Sequence, residues 1–203
     1  MSHILITGFT PFDGRKHNAS WIAATQLCRS HNTKHILHSL RLPVLWGQPR
    51  KIIDTAVSRW QPRIVISLGE GKPGGFTLES QARNRRSERR DNLGHRPCAE
   101  VIKTGGTAII ESTAPLTSIA QSLLLEGLDI EVSKDAGAYL CEELLYGLED
   151  LKTTNSHVEL VVFAHLPPFA TQLHYRGQSR QCDTDLLQDF TTSLLRAVVQ
   201  HLA

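Results

Sequence analysis

The run VELVVFAHLPP, residues 158–168, decides the fold. Its first six residues are apolar except for Glu159, which suits a strand buried on both faces rather than one with a wet side. Shorter β-rich runs at 4–7, 36–42, 64–68, 108–112 and 130–133 join the strand read at 159–164. They alternate with stretches of helical period near 20–30, 48–60, 116–126, 137–149 and 184–202. The alternation predicts an α/β fold, a three-layer α/β/α domain on a twisted, mixed, mainly parallel sheet. A length of 203 residues is enough for one core, so residues 1–203 are expected to form a single domain. The last helix is the best marked: Asp183 can cap it, and Leu187, Phe190, Leu194 and Val198 recur along one face. Residues 69–106 are rich in Gly, Arg and Asn and predict a long loop or hairpin, a kind of segment that often carries function.

Composition narrows the function classes. Apolar residues at 40% and charged residues at 21% fit a folded domain and not a disordered chain. A formal charge of +2 gives no reason to expect nucleic acid. The one basic cluster, Arg83, Arg85, Arg86, Arg89 and Arg90 around Glu88, contains no aromatic for bases to stack on and reads as a solvated loop. Cys28, Cys98, Cys141 and Cys182 form no C-x-x-C pair, which argues against a zinc or redox motif. His31, His35 and His38 straddle a predicted loop and strand and make a poor metal site. The chain enters an apolar strand directly after Met1-Ser2-His3, so a cytoplasmic protein with reduced thiols is expected. No apolar run is long enough to cross a bilayer.

Four segments could carry chemistry. Cys141, in SKDAGAYLCEELLYGL (133–148), falls in the early turns of a predicted helix, where amide dipoles favour a thiolate; a buried apolar thiol is the plainer alternative. His165 follows the strongest strand, at the end from which side chains project into a ligand crevice. A Cys and a His so placed supply a nucleophile and a group to protonate a leaving amine. A third group must orient the imidazole, and several acids are available. Phe9 and Phe12, in GFTPFDG (8–14), are core plugs or the apolar walls of a small flat ligand's pocket. GEGKPGG (69–75) contains G-x-G-x-x-G, but Pro73 interrupts it and no helix opens after it, so a turn offering backbone groups to a ligand is the better functional reading.

Taken in order, ILITGFTPFDG (4–14), the N-x-S at 18–20, LPV (42–44), SLGEGKPGG (67–75), TLES (77–80), AGAYLC (136–141) followed by YGL, and FAHLPP (163–168) resemble the pyroglutamyl peptidase type I family of cysteine peptidases. The resemblance implies Cys141 as nucleophile, His165 as base and later acid, and Glu79 as the orienting carboxylate. It matches Arg89 to an arginine near the oxyanion site, and Phe9, Phe12, Asn18, Glu70, Tyr139 and Leu140 to the pyroglutamyl pocket. It further implies N-terminally pyroglutamylated peptides as substrates, no metal or cofactor, and assembly into dimers or tetramers.

Three positions depart from the family pattern. Glu70 stands where glutamine is usual, Lys134 where asparagine is, and the stretch after Glu79 reads ARNRRSERRDN (82–92), one residue short. An acid at 70 could repel substrate or alter its hydrogen bonding. Two rivals follow, a related cysteine hydrolase acting on another small amide and a silent binding protein on the same fold. A nucleotide-binding domain built on GEGKPGG ranks below both.

Overall fold

The computed structural model describes residues 1–30 and 34–202. In chain order the elements are β1 (His3–Phe9), α1 (Ala19–Ser30), β2 (Ile36–Leu42), α2 (Gln48–Trp60), β3 (Ile64–Glu70), β4 (Phe76–Glu79), β5 (Gln81–Arg83), β6 (Ile109–Glu111), α3 (Leu116–Leu125), β7 (Ile130–Ser133), α4 (Leu140–Thr154), β8 (Leu160–Leu166), β9 (Gln172–Tyr175), β10 (Gln178–Gln181) and α5 (Thr184–Val199). The main sheet runs β2-β1-β3-β8-β4-β7. Its pairings are parallel except β4 against β8, so the mixed, mainly parallel sheet is borne out.

The period of two along each strand sorts its side chains between two cores. Ile4 and Ile6 of β1, Ile64 and Ile66 of β3, and Val162 and Ala164 of β8 face α1, α3 and α5. Leu5, Val65, Val161 and Phe163 face α2 and α4. The central strands therefore have no wet side, which is why 158–163 reads as a nearly unbroken apolar run. Each such Ile, Leu, Val or Phe contributes roughly 1.5–3 kcal/mol relative to exposure. On α5, the Asp183 side chain accepts the Leu186 amide at 2.8 Å, and Leu187, Phe190, Leu194 and Val198 are buried as expected. Phe190 stacks on Phe76 of β4 with ring centroids 3.8 Å apart.

Several expectations need correction. The segment read as loop or hairpin holds an interior strand of the main sheet, β4, and also β5. In β4, Phe76 and Leu78 enter the core while Thr77 and Glu79 point to the other face. Four residues, preceded by two glycines and followed by Ser80, make too short a pattern for a run-length reading. The strand expected at 108–112 narrows to β6, which pairs with β5 apart from the main sheet. The β9–β10 hairpin was not anticipated; Arg176 and Gly177 at its tip have φ of 49° and 75°, as the two central residues of a type I′ turn require. The helix expected at 137–149 begins at Leu140, because Gly137 and Ala138 adopt φ of 92° and 28°, and it continues to Thr154. The helix expected to reach 202 ends at Val199.

His31 lies outside the described residues. Among the described residues no group of three or more His, Cys, Asp or Glu could hold a metal, and no helix is long and apolar enough to cross a membrane.

β1 lies beside β3; β1 leads through α1 to β2 on one side of the pair, whereas β3 leads to β4 on the other side, and α1 and α2 cover opposite faces of the sheet. Connections that diverge in this way open a crevice at the carboxyl ends of the strands. Phe9, Glu70 and His165 stand at those ends, on β1, β3 and β8.

Candidate active site

Strand register assembles most of the site. His165 of β8 lies opposite Gly69 of β3 and opposite Thr77 of β4. Directly opposed residues share a face, and Glu79, two residues beyond Thr77, shares it too. Glu79 Oε1 accepts from His165 Nδ1 at 2.9 Å and from Thr77 Oγ1 at 2.5 Å. A β-carbon on Gly69 would lie 2.9 Å from Cys141 Sγ, 2.9 Å from His165 Cδ2 and 3.1 Å from His165 Nε2. One on Gly71 would lie 2.9 Å from His165 Cβ. The glycines of the GEG turn thus leave the space in which sulfur and imidazole meet, a use that its resemblance to a phosphate loop concealed.

Cys141 is the second residue of α4. The first amide groups of a helix have no partner within it, and the positive end of its dipole favours an anion. The sharp entry through Gly137 and Ala138 puts the sulfur there, beside the His165 imidazole over Gly69. Burial would by itself lower the affinity of His165 for a proton, but the charge of the neighbouring Cys141, joined by the hydrogen bond and charge of Glu79, raises its pKa to about 10. Burial opposes ionisation of Glu79, yet His165 and the Thr77 and Ser133 hydroxyls hold its carboxyl below the ordinary 4.5. An imidazolium held between sulfur and carboxylate, beside a helix N-terminus, is equipped to deliver a thiolate and then a proton.

A cleft of about 950 Å³ opens over these groups, and Phe9, Phe12, Asn18, Glu70, Arg89, Tyr139 and Leu140 all line it. Phe9 and Leu140 are also buried members of the core behind it, so Phe9 is a core plug that also lines the cleft. Phe12 is partly exposed and packs on the same core. Asn18 caps α1: its Oδ1 accepts the Ser20 amide at 3.0 Å, and its Nδ2 donates to the Thr10 carbonyl at 3.0 Å. Tyr139 donates from its hydroxyl to the Arg90 carbonyl at 2.9 Å and meets Trp46 edge-on at 5.1 Å. Glu70 does not confront the cleft as a free acid. Its carboxylate, 1% exposed, is paired with Arg15 and accepts the Ala19 amide at 2.8 Å.

The arginine run is only in part the solvated loop expected from the sequence: Arg85, Arg89 and Arg90 are exposed, whereas Arg83 and Arg86 are not. Arg83 is paired with Asp135 and the buried Glu142, and Arg86 with the buried Glu143, so the run binds the first turn of α4. Arg89 is paired with Asp13, and its guanidinium lies over the Tyr139 ring at 4.5 Å and the Phe12 ring at 5.5 Å. Arg85 and Arg90 are exposed, and Arg90 donates to the Gly94 carbonyl at 2.6 Å. Arg15 and Thr77 were missed by the sequence reading, which took Gly69 only as part of a turn offering backbone groups. The alternation in FTLE could have paired Thr77 with Glu79 on one face; nothing local pointed to Arg15.

Residues 2–182 match the model of the pyroglutamyl peptidase family. A pyrrolidone-carboxylate peptidase of Gloeobacter violaceus is 33% identical over 147 residues, 71% of this chain and 72% of the relative. One of Staphylococcus aureus is 30% identical over 198 residues, 97% of this chain and 92% of the relative. Among solved structures, pyroglutamyl peptidase I of Bacillus amyloliquefaciens superposes with a TM-score of 0.86 at 26% identity, covering 99% of this chain and 98% of that one. A mutant pyrrolidone carboxyl peptidase of Pyrococcus furiosus, at 23% identity, has the same fold with a TM-score of 0.87, covering 99% and 100%. With the family model spanning most of the sequence and the relatives matching at this level, the chain belongs to the pyroglutamyl peptidase family of cysteine peptidases.

Proposed function

We propose that Cys141, His165 and Glu79 hydrolyse the amide bond after an N-terminal pyroglutamyl residue, releasing 5-oxoproline and a shortened peptide. The observation that carries the reading is the shared space over Gly69, where Cys141 Sγ and His165 converge, with Glu79 2.9 Å from the far ring nitrogen. The thiolate attacks the pyroglutamyl carbonyl and forms a carbon–sulfur bond, and the carbonyl π pair moves to oxygen. The first amides of α4 face the resulting oxyanion. Collapse breaks the carbon–nitrogen bond as His165 gives its proton to the departing amine, leaving a thioester. His165 then takes a proton from water, hydroxide adds to the thioester, and the thiolate departs.

A lactam carries no charge, so its pocket needs apolar walls and a paired donor and acceptor. Phe9, Phe12, Tyr139 and Leu140 are the proposed walls, and the backbone around Glu70 the proposed partner of the lactam. Asn18 acts by capping the helix that follows the Phe12 loop. Arg89 is fixed to Asp13 and over Tyr139, and in this reading it borders the oxyanion rather than binding it from a free position. The same reading has residues 1–203 working as one catalytic domain, in the cytoplasm, as a dimer or tetramer. Pairing of Glu70 with Arg15 weakens one of the two grounds for a different amide substrate, the acid at 70, and leaves the other, the altered 83–90 segment.

The test is release of a fluorescent amine from a pyroglutamyl amide by the reduced protein, beside Cys141→Ala. Release that disappears in Cys141→Ala supports the reading. No release by the unaltered protein, or full release by Cys141→Ala, rejects it.

A further inference from the structure

Arg15 has no part in the catalytic steps, yet it joins two walls of the cleft. Asp13 and Gly14, with φ of 53° and 69°, turn the chain so that the Arg15 amide donates to the Phe12 carbonyl at 3.1 Å. The turn sends the guanidinium back across the Phe12 ring, 5.3 Å from its centroid, to the Glu70 carboxylate. Arg15 stays 45% exposed while Glu70 is 1% exposed. Without Arg15 that carboxylate would keep a single hydrogen-bond donor among the described residues, the Ala19 amide at the start of α1. One hydrogen bond and a helix end compensate a buried anion poorly.

We propose that Arg15 sets the charge selectivity of the cleft. Held against Glu70, it makes the end of β3 electrically neutral, so that a ring with an uncharged lactam is accepted and a ring of the same size carrying an ammonium is not favoured. It acts through Glu70 and Phe12 and is a positioning residue. The inference rests on the pyroglutamyl reading of the same site. Proline offers the matching probe, a five-membered ring with a secondary ammonium in place of the lactam.

The experiment compares KM and kcat for a pyroglutamyl amide, and competitive inhibition by prolinamide, in the unaltered protein, Arg15→Ala, Arg15→Lys and Arg15→Ala/Glu70→Gln. Arg15→Ala should raise KM for the pyroglutamyl amide about tenfold with kcat changed less than about threefold, and tighten prolinamide inhibition by a similar factor, because a buried charge has lost its partner. Removing that charge in the double variant should return both ratios to within about threefold of the starting values. Arg15→Lys, a point charge without the fork, should fall between. An unchanged prolinamide-to-pyroglutamyl ratio in Arg15→Ala, or a double variant as altered as the single one, overturns the inference. If Arg15→Ala does not fold, the ratio in Arg15→Lys decides alone. Absence of pyroglutamyl release by the unaltered protein, with Cys141 still alkylated, overturns instead the substrate reading on which the inference stands.

Discussion

Two helices begin at the cleft, and their first turns are used in opposite ways. At the start of α1 an anion is already in place, since the Glu70 carboxylate accepts the Ala19 amide and the Asn18 side chain accepts the next one. At the start of α4, Cys141 occupies the second position, and the acids of the first turn, Glu142 and Glu143, turn away to Arg83 and Arg86. Both ends offer amides and a positive dipole. One is spent on holding the pocket together, and the other is kept for a reacting sulfur. The packing against each end differs accordingly. A β-carbon on Gly8 would lie 2.4 Å from the Ser20 carbonyl oxygen and 2.7 Å from Trp21 Cα, which is helix backbone; the three atoms nearest to one on Gly69 all belong to the side chains of Cys141 and His165.

This contrast can be broken with one methyl group at each place. Gly69→Ala should lower kcat/KM for a pyroglutamyl amide about 10²-fold, since displacing reacting groups by about 1 Å can have that cost. Its thermal midpoint should stay within about 4 °C of the parent, because side chains and not backbone give way. Gly8→Ala should do the reverse, losing about 3 kcal/mol or more of stability as α1 is pushed off β1. The measurements are steady-state kinetics and denaturant unfolding on both variants. If Gly69→Ala unfolds as readily as Gly8→Ala, the two helix starts do not differ in use.

A smaller change isolates the electrostatics at α4. In Glu79→Gln the amide oxygen can still accept from both His165 Nδ1 and Thr77 Oγ1, so orientation survives and only charge is lost. Turnover should fall roughly tenfold, less than for loss of the Cys or His. The pH dependence has a definite sign. His165 is raised from 6.5 to about 10 in the folded protein, so its contribution to stability is full below 6.5 and drains away as pH rises toward about 10. Glu79 is lowered from 4.5, so its contribution is present above 4.5 and is lost as pH falls further. The stability difference between parent and Glu79→Gln should therefore be greatest from about pH 4.5 to 6.5 and shrink on both sides. Urea titrations across that range test it, and a difference that grows above pH 7 would contradict the assigned shift.

Legibility in the sequence followed distance along the chain. Cys141 and His165 could be picked out because a helix start and a strand end are local patterns. The central strands were equally plain, since burial on both faces leaves an unbroken apolar run. Glu79 meets His165 across 86 residues through an antiparallel pairing with β4, itself too short to recognise, so only family resemblance could select it. Arg15 and Glu70 are 55 residues apart. The arginine run was misread in part, for the same reason: its counter-ions Glu142 and Glu143 lie 59 and 57 residues away, and a row of like charges without visible partners looks solvated.

The smallest expected effect on turnover tests whether that run serves the fold or the chemistry. Arg86 is 14% exposed and Glu143 6% exposed; Glu143 also accepts the Gly47 amide at 3.1 Å, so this pair ties the first turn of α4 to the start of α2 and to the arginine segment. Arg86→Met removes the partner of a buried carboxylate and should cost about 3 kcal/mol of stability. Replacing both partners, in Arg86→Met/Glu143→Leu, should recover most of it, because the uncompensated charge goes with the second change. Well below the unfolding temperature, kcat/KM of either variant should remain within about threefold of the parent, since Cys141 is fixed by the backbone entry at Gly137 and Ala138 and not by this pair. A stable Arg86→Met protein that has lost as much turnover as Glu79→Gln would mean that the acids of the first turn tune the nucleophile from behind, and that the start of α4 is not divided between holding and reacting as the geometry indicates.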